Sequence, residues 1–148
     1  MTNKLSIVCV SGTLEKLQMA SMVASVAAAS GDEVTVFFSM NALQYFTKDN
    51  AELAAPEEGE FGRLIETEGV PAFRKLFEQA ADLGDARLLA CSMALDLMKI
   101  TPEDLTLEFG GTYPATTLAA THFFAGLIAP EMTGPNPGRL PGLGLIAP

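Results

Sequence analysis

The chain is poor in the groups with which most enzymes work. In 148 residues it has one histidine, His122, and two cysteines, Cys9 and Cys91, 82 positions apart. That spacing matches no metal-ligand motif, and one imidazole leaves too few nitrogen ligands for a catalytic zinc. A Ser-His-Asp triad would have to use His122, which lies between Thr121 and Phe123 in an apolar stretch and reads as a partly buried structural residue. No G-x-S-x-G elbow is present either. Basic residues are scarce, nine against eighteen acidic, for a net charge of −9 and a pI near 4.4. Nucleic acid and anionic membrane surfaces both call for clustered Lys and Arg, so a basic partner is the better expectation.

Long apolar runs are missing as well. The best candidate for a membrane span, Leu17 to Ala29, is interrupted by Gln18, Ser21 and Ser25 and is shorter than the roughly 20 residues a span requires. The amino-terminal apolar run covers only six residues, too few for a secretory leader, and the chain reads as cytoplasmic. Neither GxxxxGK[ST] nor GxGxxG occurs. Ser11-Gly12-Thr13 reads as a turn with helix-capping residues whose N–H groups can still hold an anion. Neither a cofactor nor a metal is expected.

What is present is an alternation of strand and helix. Leu5 to Val10, LSIVCV, is almost continuously apolar and β-branched, as a parallel strand covered on both faces should be. The helix predicted from Thr13 to Ala29 has a thin polar stripe, Glu15, Gln18, Ser21 and Ser25. Leu17, Met19, Met22, Val23 and Val26 cover the rest, enough apolar surface for the sheet and for a second subunit. Ser30-Gly31-Asp32 closes it, and Glu33 to Phe38 is the next strand. Ser39 or Asn41 then caps a short helix through Phe46.

Positions 49–68 carry seven acidic residues and one basic, with Pro56, Gly59 and Gly62 breaking any period, and the segment at about 48–69 reads as an exposed, mobile insertion. Its paired Glu57-Glu58 reads as solvated loop. Pro71 opens a helix with Phe73, Leu76, Phe77 and Ala80 inside, an Arg74–Glu78 pair outside, and Gly84 as its stop. Arg87 to Ala90 forms a strand leading into Cys91, and Met93 to Ile100 an amphipathic helix in which Met93 and Met98 are core filler. Thr101-Pro102 resembles a new helix cap. Leu105, Leu107 and Phe109 alternate with polar residues as a strand does, Gly110-Gly111-Thr112 turns toward a helix near Pro114, and HFFAGLIA (122–129) is a candidate last strand. From Pro130 the chain holds five of its nine prolines, so 130–148 reads as an extended tail on a domain formed by 1–129.

The alternation gives an α/β three-layer fold with a mainly parallel sheet of about five strands. Ligands bind such sheets outside the carboxyl ends of the strands, where Ser11-Gly12-Thr13, Ser39-Met40-Asn41 and Cys91-Ser92 should gather. Cys9, mid-strand between Val8 and Val10, reads as inert packing. Cys91 stands where a strand passes to a helix, whose free N–H groups and positive dipole end favour a thiolate. From its position alone it is open whether Cys91 is reactive or merely buried.

The runs KLSIVCVSGTLEKLQMASMVASVAAASGDEVTVFFSMNAL and EGVPAFRKLFEQAADLGDARLLACSMALDLMKI together resemble the DsrE/DsrF-like family, in particular its branch labelled peroxiredoxin-family or DsrE-related sulfurtransferase. The similarity spans about residues 4 to 110 and is densest around Cys91, with Met93, Asp96, Leu97 and Met98 in the family pattern. It implies a flavodoxin-like α/β/α subunit, a homo-oligomer, and a cysteine, Cys91, that carries sulfur as persulfide or thiosulfonate in a relay with TusA-like and rhodanese-like proteins. The peroxiredoxin label is not adopted, since no Thr-x-x-Cys site occurs. The leading expectation is a sulfur carrier or sulfurtransferase with Cys91 as nucleophile. The backbone of Ser92 and Met93 would stabilise its thiolate, and Ser11, Gly12 and Thr13 would help form an anion pocket. The rivals are a noncatalytic oligomeric module binding a small anion or a protein, and a thiol redox sensor.

Overall fold

The computed structural model describes residues 3–107, 109–113 and 124–126. Strand β1 (Lys4–Cys9) leads to α1 (Leu14–Ala29), β2 (Glu33–Phe38) and the one-turn α2 (Met40–Leu43), followed by 3-10 turns at Gln44–Phe46 and Lys48–Asn50. Next come α3 (Glu60–Thr67), α4 (Phe73–Gly84), β3 (Arg87–Cys91), α5 (Ser92–Met98), a 3-10 turn at Pro102–Asp104, β4 (Gly111–Tyr113) and β5 (Phe124–Gly126). The five strands form one sheet in the order β4-β3-β2-β1-β5, and every described pairing is parallel. This is the parallel α/β architecture expected of a flavodoxin-like chain. The direction of winding reverses at β1, between β2 on one side and β5 on the other, rather than between β1 and β3 as in flavodoxin.

Register sets the faces. Ile7 pairs with Val36 and Val36 with Leu88, while Cys9 pairs with Phe38 and Phe38 with Ala90. The Phe38 ring meets Phe77 of α4 at 4.9 Å and Phe46 at 4.6 Å, so this row faces the α4 side. Phe37, Leu89 and Cys91 are displaced by one residue and point to the other face.

Helices α1 and α4 pack together, and α1 does so in the reverse of the expected sense. Gln18 and Ser21, read as its polar stripe, are buried. Gln18 donates to the Pro71 carbonyl at 2.9 Å, and the Ser21 hydroxyl to the Gln18 carbonyl at 2.7 Å. Met19, Met22, Val23 and Val26 are exposed instead. At the end of α1 the packing is close: a Cβ at Gly84 would come within 2.9 Å of the Ala28 carbonyl carbon, so that crossing takes only small residues on both helices.

Several local expectations are corrected. Gly84 does not stop α4 through its own backbone; it is the last helical residue, and Asp85 takes the left-handed conformation with φ 53°. Pro71 lies two residues before the helix. Arg74 forms no ion pair with Glu78 and instead donates to the carbonyls of Tyr45 (2.9 Å), Asn50 (3.2 Å) and Leu53 (2.7 Å), lying over the Phe73 ring. Leu105–Leu107 is not a strand: a single antiparallel bridge joins Leu105 to Thr47, and the Thr106 N–H and hydroxyl both donate to the Phe46 carbonyl. Hydrogen bonding to one carbonyl, rather than a ladder, satisfies that segment, and the strand forms later, at Gly111–Tyr113, where a turn was expected. The last-strand reading holds at Phe124–Gly126. The helix near Pro114, His122 and the 130–148 tail lie outside the described residues.

Candidate functional site

The acidic segment between β2 and α4 is tied to the first turn of α1. The first N–H of α1, from Leu14, is taken by the Pro56 carbonyl at 2.9 Å. The Glu15 carboxylate accepts from the N–H groups of Glu58 (2.9 Å) and Gly59 (2.9 Å) at the start of α3, and Lys16 pairs with Glu58 at 3.0 Å. Desolvation alone would raise the Glu15 carboxyl, but the N–H donors of Glu58, Glu15, Gly59 and Gly62 outweigh it and hold the group below its ordinary value. Glu15 therefore occupies, as an internal anion, the kind of position an external one would seek at a helix N-terminus. A Cβ at Gly62 would meet that carboxylate at 2.7 Å, which explains the glycine inside α3.

The strand-end turns meet only in part. Gly12 is buried, and a Cβ there would lie 3.0 Å from the Asn41 carbonyl oxygen and 3.0 Å from the Tyr45 ring. The glycine in Ser11-Gly12-Thr13 thus lets the β1 exit pass beneath the β2 exit. Ser11 and Thr13 bond each other through their hydroxyls at 3.2 Å, and the Ser39 N–H donates to the Cys9 carbonyl at 2.9 Å. The turns after β1 and β2 are brought together, as anticipated. Cys91-Ser92 stands one strand farther on, and among the described residues no hydrogen bond joins either residue to Ser11, Gly12 or Thr13.

Cys91 ends β3, paired in register with Tyr113 of β4, and serves as the N-cap of α5 with φ −71° and ψ 118°. A cap in extended geometry leaves the first-turn N–H groups, those of Ser92 and Met93 among them, without helical partners. Cys91 is 0% exposed. Beside it α5 buries Ala94 and Leu95 but exposes Met93 (47%) and Leu97 (74%). Met93 was read as core filler and is not; Met98 is half-buried against the core. Met93 and Leu97, four residues apart, share the side of this short helix that the core does not cover.

Cys9 is also buried, and burial raises its thiol to about 12. It lies two strands from Cys91, roughly 10 Å, and register puts the two thiols on opposite faces of the sheet. A disulfide between them is excluded in this fold. Among the described residues no three His, Cys, Asp or Glu side chains converge on a metal position. No described helix is long and apolar enough to cross a membrane.

Sequence reasoning missed two features at this end of the sheet. Met40, the first residue of α2, has φ 50°, a conformation that non-glycine residues seldom take, and its side chain is exposed. Nothing in its residue type signals this. The Glu15 clasp was missed too, although Glu15 in a first helical turn is the usual place for such a carboxylate.

The sequence model of the DsrE/DsrF-like family matches residues 4–123. The chain belongs to the DsrE/DsrF-like family. The match runs beyond position 110, where the resemblance in the sequence was traced, and takes in β4. Comparison with curated proteins finds no match.

Proposed function

We propose that this DsrE/DsrF-like protein is a sulfur carrier, accepting sulfane sulfur on Cys91 and passing it to a partner in a sulfur relay. The observation that carries the reading is the placement of Cys91 at the junction of β3 and α5, in a family consistent with such relays. In the loading step Cys91 gives up its proton to solvent. The thiolate then attacks the outer sulfur of a thiosulfate-like donor, forming a persulfide as sulfite leaves with the electron pair of the broken S–S bond. With tetrathionate the product is a thiosulfonate and thiosulfate leaves. Neither step needs an imidazole, only a stabilised thiolate and access. The N–H groups of Ser92 and Met93 would supply the first, and the Ser11-Gly12-Thr13 turn would contribute to an anion pocket beside the Leu14 N–H, which the Pro56 carbonyl already takes. Access requires local opening of the first turn of α5.

The acceptor would be a TusA-like or rhodanese-like protein, and the setting the reducing cytoplasm, which suits two free thiols. The exposed stripe of Met19, Met22, Val23 and Val26 supports a homo-oligomer. Residues 17–31 carry no charge, so two copies of this face can meet without repulsion despite the net −9 of each chain.

The complete burial of Cys91 favours a second reading, a noncatalytic binding module of the same fold. Intact mass after incubation with thiosulfate, tetrathionate or polysulfide separates the two, with wild type beside Cys91→Ser and Cys9→Ser. A sulfur or thiosulfonate adduct lost only in Cys91→Ser supports the carrier. No adduct on any folded variant returns the binding module to the front, and a peroxide-dependent sulfenate with no sulfur loading would indicate a redox sensor.

A further inference from the structure

Helix α3 covers only part of its apolar face. Gly62 closes on the Glu15 carboxylate and Ile65 packs against the core, forming the inner edge of that face. Phe61, one turn before Ile65, and Leu64 form its outer edge and are 72% and 46% exposed. A phenylalanine with most of its surface in water is an uncommon use of an aromatic residue on a polar segment. The clasp of Glu15 on Glu58 and Gly59, with the Pro56–Leu14 bond, holds the helix in place, so the exposed pair stands on a fixed support.

The charge around this pair has one sign. Residues 49–68 contribute −6 to the chain's −9. Glu57 pairs with Arg63 and Glu58 with Lys16, but among the described residues Glu60, Glu66 and Glu68, on and beside α3, have no ion-pair partner. The same face of a second copy would meet it with like charge, and so would an anionic membrane. A basic protein surface would gain on both counts, burying the two apolar side chains and neutralising the surrounding carboxylates.

We infer that the outward face of α3, with Phe61 and Leu64 as anchors inside a ring of glutamates, is a docking surface for a basic partner protein that presents an apolar strip flanked by lysine or arginine. The same segment bonds to the first turn of α1, so a partner seated on it stands next to the turn that follows β1. The assignment does not depend on the chemistry proposed for Cys91.

The test uses the full chain and a fluorescein-labelled model helix made of leucine and lysine, with the leucines on one face, read by fluorescence anisotropy. Saturable binding is expected, weakened severalfold by raising salt from low to physiological strength. F61S/L64S should weaken it by about tenfold or more, since both anchors leave the interface. E60Q/E66Q/E68Q should weaken it and remove most of the salt dependence. Both variants alter exposed positions, and unchanged circular dichroism confirms that they remain folded. Equal binding by F61S/L64S, or equal binding of a serine-lysine helix of the same charge, would overturn the inference. So would a drop in molar mass of F61S/L64S by light scattering, which would show that a second copy covers the face.

Discussion

Replacing Gly84 by alanine should damage the fold at the place where α1 and α4 approach most closely. The added Cβ would fall on the Ala28 methyl and lie 2.9 Å from the Ala28 carbonyl carbon and 3.0 Å from its Cα. Carbon atoms normally stay about 3.5–4.0 Å apart, so the helices must separate by more than half an ångström along a backbone that has no side chain to move aside. Overpacking of this kind costs roughly 1–3 kcal/mol. Alanine recovers part of that through its helix propensity, up to about 1 kcal/mol in a helix interior and less in the last turn where Gly84 sits. The expected net loss is therefore roughly 1–2 kcal/mol, or a midpoint lower by about 2–8 °C in a domain of this size. Urea unfolding of G84A, A28G and the double variant gives the coupling, which should be favourable because removing the Ala28 methyl relieves the worst contact. If G84A unfolds at the same or higher urea concentration than wild type, the close approach is not a constraint and the account of α1 is wrong.

Three further outcomes follow from the buried and clasped groups. Because the Cys9 thiol is raised from 9.0 to about 12 in the folded protein, the folded state keeps its proton where the unfolded state loses it. The associated stability is fully present below pH 9 and is lost progressively between about 9 and 12. Urea midpoints should fall across that window in wild type and fall less in Cys9→Ala. The same shift makes the Cys9 thiolate about a thousandfold rarer at pH 8, so folded Cys91→Ser should resist alkylation. For Glu15, whose carboxyl is held low by backbone donors, the clasp is present above its ordinary value near 4.5 and is lost as pH falls through the depressed one. Glu15→Ala should speed hydrogen exchange at Glu58 and Gly59 at neutral pH, and unchanged exchange there would refute the clasp.

Much of this protein was legible in its sequence because apolar periodicity reports burial directly. The runs at Lys4–Cys9, Glu33–Phe38 and Arg87–Cys91 are apolar on both faces because parallel strands are covered on both, and their ends had to bring Cys91 to the start of a helix. What sequence could not reveal depends on which surfaces meet. Alternation at Leu105–Leu107 has the period of a strand, yet the Phe46 carbonyl claims Thr106 and no ladder forms. The acidic segment is polar enough to pass for loop, and only the Glu15 carboxylate, arriving from 43 positions away, caps the start of α3. The orientation of α1 could not be read from its hydrophobicity: Ala20, Ser21, Ala24 and Ala28 turn inward beside Leu14 and Leu17, with Ala28 pressed against Gly84, while the methionines and valines stay outside. The apolar run Leu88–Ala90 by itself determined that Cys91 would stand at a strand end. The packing of the whole chain decided that it is fully buried, two strands from Cys9 and on the opposite face of the sheet.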